Sequence, residues 1–351
     1  MKERYYCWDC LKIILAFVVF LFHTNIHLGL TYGLLTDFIS VGAFCMTGFF
    51  MLSGAVLSLR YEESKWNHEE ILIFYKTRFI SIFPLYYVVI LIYIFNKSYI
   101  IDDLLLLPVE LLGLQSLFYG SFSYGSNNGT WFVSCLLICY LLFPMISIMI
   151  KGMNSRKLLL VTFFLGVFDV YTQFIVGYFG FGELYSAPFL RLIQFMMGSI
   201  ICVLLKRKKS IRFKHSLLLY IFVETVLVIV ASTILEKKEF LHNASYLQQI
   251  AMYDVVGVPA FATLIYWLGQ ITMNETIGTW VSRVCKTSYA FYMSQLFALK
   301  IAKKIFLIWS VSNSNVKLSM SFLICFIITF LFYYLDAMIK KKLKLIFERT
   351  K

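Results

Sequence analysis

A histidine inside an apolar block is the residue of this sequence best suited to acid–base chemistry. His23 follows Phe20, Leu21 and Phe22 within residues 11–30. A neutral imidazole takes up a proton near pH 7, and histidine is the most frequent general base in enzymes. Because a polar group among apolar side chains is costly, His23 marks either a reaction centre or a buried partner of a neighbouring helix. Its position alone leaves both alternatives open.

Two charged residues precede this histidine. Asp9 and Lys12 are three residues apart, a spacing at which side chains on a helix can pair. Lys12 lies about 16 Å before His23 along a helix axis. That distance predicts Lys12 at the cytoplasmic boundary of a membrane span and His23 near the bilayer middle. The other interpretation is that Asp9 and Lys12 are helix-end charges in contact with lipid headgroups.

Metal binding is a second chemistry that these residue types permit. His27 follows His23 by four residues, so both face one side of a helix, and two histidines at that spacing can hold zinc. No acidic companion lies between them, and zinc needs about four ligands. Cys7 and Cys10 form a C-x-x-C pair without a second such pair in a polar loop. We therefore expect no metal and a structural role for the two cysteines.

Other charged residues also lie in or beside apolar blocks. Arg191 should face the protein interior, because a charge facing lipid is costly. Arg78 is either a topology anchor or a phosphate-binding guanidinium. Lys300, Lys303 and Lys304 share one helix face. Either that helix leaves the membrane early, or the face lines a wet cavity that attracts anions.

The composition indicates which elements must position these residues. The chain has 351 residues, of which 60% are hydrophobic and 15% charged. The apolar residues form long uncharged blocks, which excludes a disordered chain and an ordinary soluble enzyme. Since a bilayer span needs about 20 mostly apolar residues, we predict an all-α transmembrane bundle of about ten spans. It forms a single membrane-embedded domain over residues 1–351 with no appended soluble domain. The predicted spans are residues 11–30, 38–59, 79–95, 130–150, 158–178, 185–205, 216–235, 250–270, 288–309 and 317–339.

An eleventh apolar stretch is too short to count as a span. Residues 104–119 contain Pro108 and Glu110 and are predicted to be interfacial or re-entrant. With ten spans and a cytoplasmic N-terminus, most Lys and Arg fall in cytoplasmic segments, as is usual in membrane proteins. Both termini are therefore predicted to be cytoplasmic. This arrangement explains the net charge of +13 without a nucleic-acid partner, and membrane lipid is the expected environment.

Dispersed motifs over nearly the whole chain resemble the acyltransferase 3 family, integral membrane enzymes that O-acylate cell-surface polysaccharides. The family's first span carries Asp-x-x-Arg followed by His, which is similar to Asp9, Lys12 and His23. The other similar segments are Phe49-Phe50-Met51-Leu52-Ser53-Gly54, the entry to the third span from Arg78 to Pro84, the series Trp131, Tyr140 and Pro144, the series Arg191, Phe195 and Gly198, and Ser288-Tyr289-Ala290-Phe291-Tyr292-Met293.

The chain departs from the family pattern at four positions. Lys12 replaces an arginine, which keeps the charge and loses the bidentate geometry. Ser81 replaces the second arginine at the entry to the third span. Leu136 stands where many members have glutamate, and Gln295 stands where many have a late histidine. These departures disfavour a mechanism assisted by a carboxylate or by two histidines and leave His23 as the main candidate.

The resemblance implies an acyltransferase in the plasma membrane of a bacterium. It would move an acyl group, acetyl first of all, from cytosolic acetyl-CoA or another acyl-CoA to a hydroxyl of a cell-surface polysaccharide or its lipid-linked precursor. His23 would be the general base or a transient acyl carrier. The resemblance also implies that Asp9 supports Lys12. The residues that would bind the donor are Lys12, Arg78, Ser53 and Arg191. Those that would contact the acceptor are Trp131, Tyr289 and Gln295.

A transporter or flippase for a glycolipid is the alternative from another class. It would also need many spans, central polar residues and a basic helix face. Transporters are often built from internal repeats, and no repeat is visible in the sequence. The transporter predicts substrate movement without acyl-CoA, which separates the two hypotheses experimentally.

Overall fold

The computed structural model describes residues 4–96, 101–117, 128–180, 184–207 and 246–349. Their regular secondary structure is helical throughout, which confirms the predicted fold class. Short 3-10 turns lie at Gly33–Leu35, Gly42–Phe44, Gln115–Leu117 and Asn128–Thr130. The helices in chain order are α1 (Tyr6–Leu28), α2 (Thr36–Ser40), α3 (Cys45–Arg60), α4 (His68–Asn96), α5 (Ile101–Leu111), α6 (Trp131–Gly152), α7 (Ser155–Phe179), α8 (Pro188–Lys206), α9 (Tyr246–Met252), α10 (Asp254–Leu268), α11 (Glu275–Cys285), α12 (Ser288–Ile308) and α13 (Ser314–Arg349).

Seven helices among the described residues are long and apolar enough to cross a membrane. They correspond to seven of the ten predicted spans, so the count of ten is not confirmed. The predicted span at 250–270 contains the 15-residue helix α10, and the one at 288–309 is the 21-residue helix α12 with its three lysines. The predicted span at 216–235 lies outside the described residues. The seven helices are Tyr6–Leu28, Gly42–Arg60, His68–Ile94, Trp131–Gly152, Ser155–Phe179, Pro188–Lys206 and Ser314–Ile346.

The segment predicted to be interfacial or re-entrant forms α5 and the turn that follows it. An 11-residue helix is about 16 Å long, roughly half the hydrocarbon core of a bilayer. Polar contacts hold the segment in place. The Tyr86 hydroxyl donates to the carbonyl of Glu110, and the Gln115 amide donates to the carbonyl of Thr130 over 3.1 Å.

The chain divides into two compact units that alternate along the sequence. The first unit comprises the described residues of Met1–Leu11, Phe44–Asn67 and Ile138–Gly278. The second comprises those of Lys12–Ala43, His68–Leu137 and Thr279–Lys351. Each unit is described by itself below.

The core of the first unit is a close approach of α3 and α8. A Cβ atom built on Gly54 would lie 1.9 Å from the carbonyl oxygen of Phe195, and one on Gly198 would lie 1.7 Å from that of Met51. Only glycine allows two helix backbones to meet at such a distance. Small residues allow helices to approach closely, and Gly54 and Gly198 do so here.

In the second unit, α1 and α12 run in the same direction. The rings of Phe20 and Phe291 are 5.8 Å apart, and His23 contacts Gln295, so residue numbers increase together along the two helices. Helix α4 has the same direction as α12. The Tyr289 hydroxyl donates to a carbonyl at the middle of α4, that of Ile82, over 2.9 Å.

An aromatic contact further along both helices agrees with this direction, since the ring centres of Tyr93 on α4 and Phe297 on α12 are 6.3 Å apart. The three helices are therefore parallel, as the first, third and ninth spans are in the predicted topology. The side of the membrane on which they start stays a prediction.

Candidate active site

The side chain of His23 lies in the last third of α1. The helix ends at Leu28, about 8 Å beyond His23 along the axis. The sequence predicted a position near the bilayer middle; in the structure the histidine is closer to the C-terminal end of its helix, because α1 begins at Tyr6 and ends before residue 30. The imidazole is partly buried. His23 thus contacts the interior of the second unit through Gln295 and lies close to the C-terminal end of α1.

Gln295 fixes the orientation of the imidazole. Its Oε1 atom lies 2.9 Å from Nδ1 of His23, and its Nε2 atom donates to the carbonyl of Ala16 over 3.1 Å. Since the Ala16 carbonyl is only an acceptor, the amide nitrogen must face it, and the amide oxygen then faces His23. Nδ1 therefore carries the proton and donates a hydrogen bond to Oε1 of Gln295. The Nε2 atom of His23 keeps its lone pair and can act as a base.

The packing around this pair is aromatic. Phe20 is fully buried and contacts Phe291 and Phe322, each at 5.8 Å between ring centres. These contacts join α1 to α12 and α13 at the level of His23. Gln295 is itself fully buried. The geometry of the His23–Gln295 hydrogen bond is thus set by a rigid environment rather than by two flexible surface side chains.

The ring of His27 lies 5.9 Å from that of His23, as the spacing of the two residues predicts. In the part of the chain that the structure describes, no group of three or more His, Cys, Asp or Glu side chains is arranged to hold a metal ion. The chemistry that this arrangement supports is proton transfer at Nε2 of His23.

Two residues predicted to contact the acceptor have other contacts. Trp131 is 4% exposed at the start of α6, and its carbonyl accepts a hydrogen bond from Ser116. This burial does not favour stacking on a sugar ring at an outer mouth. The hydroxyl of Tyr289 donates a hydrogen bond to the carbonyl of Ile82. Both residues lie in the second unit with His23. The Trp131 carbonyl links α6 to the turn at Gln115–Leu117, and the Tyr289 hydroxyl links α12 to α4.

The cations predicted to bind the donor lie in the N-terminal halves of α1 and α4. Lys12 and Arg78 are both partly buried, and the guanidinium of Arg78 lies 5.8 Å from the ring centre of Phe74. Because α1 and α4 are both parallel to α12, Lys12 and Arg78 lie on the same side of His23 along the helix axes.

The structure adds a cation that sequence reasoning missed. The Nζ atom of Lys340 donates to the carbonyl of Ser81 over 2.9 Å and pairs with Asp336. Ser81 stands where the family pattern has its second arginine, so α13 brings a positive charge to the turn of α4 that follows Arg78. The available signal was Asp336, an acid inside a predicted span and one turn from a lysine.

Three of the predicted site residues belong to the first unit. The carboxylate of Asp9 accepts a hydrogen bond from Arg4 over 2.8 Å, where the sequence predicted a pair with Lys12. The hydroxyl of Ser53 donates to the carbonyl of Phe49, one turn earlier in α3, over 2.7 Å. Both interactions are local and stabilise the backbone around them.

Arg191, the third residue, is 2% exposed at the start of α8. Its Nε and Nη2 atoms donate to the carbonyl of Tyr185, and its Nη1 atom donates to Thr47 over 2.9 Å and to Gln194 over 2.7 Å. The charge faces the protein interior, as predicted. Its donors are directed at acceptors of the first unit itself.

Two buried carboxylates accompany this guanidinium, and sequence reasoning missed both. Thr47 donates to Asp254 over 2.6 Å, and Gln173 does so over 2.7 Å. Gln194 donates to Asp254 and, over 3.2 Å, to Asp169. Polar residues within the predicted spans at 158–178 and 250–270 were the available signal. Buried charges need such partners, so this network holds α3, α7, α8 and α10 together.

The comparison with protein families identifies the chain's relatives. The sequence model of the acyltransferase 3 family, described as an acyltransferase domain, matches residues 5–335, nearly the whole chain. No curated protein and no solved structure matches the chain. Together with the seven apolar helices, the match identifies this chain as a member of the acyltransferase 3 family and as a membrane acyltransferase.

Proposed function

We propose that this protein transfers an acyl group, acetyl first of all, from acyl-CoA to a hydroxyl of a cell-surface polysaccharide or of its lipid-linked precursor. The observation that carries the proposal is the hydrogen bond between His23 and Gln295, which leaves the lone pair of Nε2 available. A base of this kind is what an acyltransferase needs to activate a hydroxyl.

The reaction would proceed by proton transfer and substitution at the thioester. Nε2 of His23 removes the proton of the acceptor hydroxyl as its oxygen attacks the carbonyl carbon. The C–S bond then breaks, the CoA thiolate leaves, and His23 returns the proton to its sulfur. In the second version of the mechanism, Nε2 attacks the thioester carbon first, the C–S bond breaks and the CoA thiolate leaves. The hydroxyl oxygen then attacks the acyl-imidazole, the C–N bond breaks, and the hydroxyl proton passes by way of the freed Nε2 to the thiolate.

The donor is expected to bind at the N-terminal side of His23. Lys12, Arg78 and Lys340 supply positive charge there, and charge-assisted hydrogen bonds to phosphates are among the stronger polar contacts in proteins. The CoA phosphates would rest on these cations, and the pantetheine arm would carry the thioester along α1 toward His23. In the predicted topology this side faces the cytosol, which supplies the CoA.

Asp9, Ser53 and Arg191 have structural roles in this proposal. Their side chains are directed at Arg4, at a carbonyl of α3 and at the buried network of the first unit. Removal of one of them would thus act on activity through folding. Trp131 and Tyr289 have structural roles as well, because Trp131 is buried and the Tyr289 hydroxyl joins α12 to α4.

Membranes containing the protein provide the direct test of this function. We expect radiolabelled acetyl-CoA to label envelope glycan as a base-labile ester, and a deletion strain to keep its glycan amount while losing the ester. Loss of the polymer itself, with no labelling by acetyl-CoA, would contradict the proposal and favour the transporter.

Gln295 is a positioning residue whose replacement has a specific signature. Gln295→Leu removes the acceptor for Nδ1–H and leaves a buried donor without a partner, which costs about 1–3 kcal/mol. We expect kcat for acetyl transfer to fall by roughly 10–100-fold with little change in KM for acetyl-CoA.

The matched variant Gln295→Glu restores an acceptor oxygen. Its carboxylate would favour the protonated imidazole, so the acidic limb of the kcat–pH profile should move to higher pH. A purely structural role would not shift that limb. Wild-type kcat in Gln295→Leu would contradict the positioning role.

A further inference from the structure

A group of basic side chains lies just beyond His23, at the end of α1 opposite Lys12. His27 is one turn further along α1. Since α1 and α12 are parallel and meet at the contact of His23 with Gln295, Lys300 and Lys303 lie about 8 and 12 Å beyond Gln295 along α12, on the same side of that contact as His27. All three side chains are exposed. We call His27, Lys300 and Lys303 the distal cluster.

The direction of the helices shows that this cluster and the cations of the proposed donor site lie on opposite sides of His23. Since α1 and α12 are parallel, the distal cluster lies on the C-terminal side of the His23–Gln295 pair. Lys12 and Arg78 lie on its N-terminal side. His27 is about 6 Å beyond His23 along the axis. A molecule on the distal cluster would approach Nε2 from the end opposite the proposed donor.

One member of the cluster is held in place by an aromatic ring. The Nζ atom of Lys300 lies 4.4 Å from the ring centre of Tyr93, near the end of α4. A cation over an aromatic face is stabilised and restrained. Lys300 is thus oriented within the second unit.

The three helices α1, α4 and α12 carry no acidic residue at the level of His23 or beyond it. The sequence of α12 contains three lysines and no acidic residue, and α1 contains none after Asp9. Helix α4 contains none after Glu70. The next acid along the chain after α1 is Asp37, on α2. Lysines in an apolar helix are costly unless they meet water or an anion.

We propose that the distal cluster binds an anionic group of the acceptor glycan, a phosphate or a carboxylate, so that the substrate is an acidic or phosphate-bearing glycan. The inference rests on the proposed acyl transfer and names the class of its acceptor. Lysine ammonium groups bind phosphate and carboxylate oxygens as point charges. Anionic phospholipid headgroups present the same chemistry at a membrane surface, and the experiment below separates the two sources.

The test uses the full-length protein in vesicles and the envelope glycan of a deletion strain. Anion exchange divides the glycan into acidic and neutral fractions, and each is offered with radiolabelled acetyl-CoA to the wild type and to the double variant Lys300→Gln/Lys303→Gln. We expect label mainly in the acidic fraction. In the double variant, KM for that fraction should rise about tenfold or more while kcat changes little. Lys344→Gln, an exposed lysine near the end of α13, serves as the matched control and should behave as the wild type.

Three results would overturn the proposal in different ways. Label in the neutral fraction alone, or an unchanged KM in the double variant, would show that the cluster does not bind the acceptor. A defect that appears only in vesicles containing phosphatidylglycerol, with either fraction, would assign the lysines to lipid headgroups. Absence of label from both fractions with the wild type would contradict acyl transfer itself, and this inference with it.

Discussion

His23→Ala is expected to lower the rate of acyl transfer by about 100- to 10,000-fold, the range in which a general base contributes. The variant removes the only histidine in the first span that is bonded to a fixed acceptor, Gln295. Steady-state kcat with purified protein and radiolabelled acetyl-CoA measures the effect. His68→Ala, which removes an exposed histidine at the start of α4, is the matched control and should retain wild-type kcat.

A folding defect must be separated from a chemical one in this variant. Loss of the imidazole leaves the buried amide oxygen of Gln295 without that partner, which costs about 1–3 kcal/mol of stability. The variant should therefore melt at a lower temperature and still fold. Added free imidazole should restore part of the activity, because a small base can enter the space that the side chain leaves. Full activity of folded His23→Ala without imidazole would contradict a chemical role for His23.

Gly198→Ala and Gly54→Ala are expected to be the most destabilising small substitutions in the first unit. The added Cβ atoms would lie 1.7 Å and 1.9 Å from carbonyl oxygens of the facing helix, so α3 and α8 must separate. Overpacking typically costs 1–3 kcal/mol. Because the clash is with backbone, we expect about 3 kcal/mol or more for each variant.

Thermal unfolding in detergent, followed by fluorescence-detected size exclusion, checks this prediction. Gly152→Ala at the end of α6 is the matched control, since nothing lies within 4 Å of a Cβ atom at that position. It should keep the wild-type melting temperature. A wild-type melting temperature for Gly198→Ala would mean that the two helices do not pack as closely as described.

Apolar patterning predicted much of the fold. Long uncharged blocks predicted helices, and seven of the ten predicted spans coincide with long apolar helices. The starts of helices were harder to predict. Helix α1 begins five residues before the predicted span, because Trp8 packs in the first unit and donates to the carbonyl of Ile265 over 2.8 Å. A window of hydropathy does not register such a tertiary contact.

The partners of the site residues were beyond local sequence reasoning. The sequence marked His23 by its type and its apolar surroundings, but Gln295 is 272 positions away and carries no signal of the pairing. The resemblance to the family marked Gln295 as a departure from a histidine, and the structure shows it in contact with His23. The position of Lys340 beside Ser81 was also missed, because lysines that flank a span are usually topology signals.

Charged residues inside spans were predicted to face the interior, and Arg191 does so. The role of Arg191 was less predictable, because a guanidinium can either bind a donor substrate or join helices. Its hydrogen bonds to Tyr185, Thr47 and Gln194 favour the role of joining helices. Only the relative positions of two separate segments of the chain, one around Arg191 and one containing Thr47, could reveal that arrangement.

The proposed role of Nε2 of His23 in moving the proton of the acceptor hydroxyl can be tested by a single-turnover measurement, in which protein in vesicles is loaded with radiolabelled acetyl-CoA and mixed with acidic envelope glycan. We expect a first-order transfer in the wild type that is nearly absent in equally folded His23→Ala and returns with added imidazole. Transfer at the wild-type rate by His23→Ala in the absence of imidazole would contradict it.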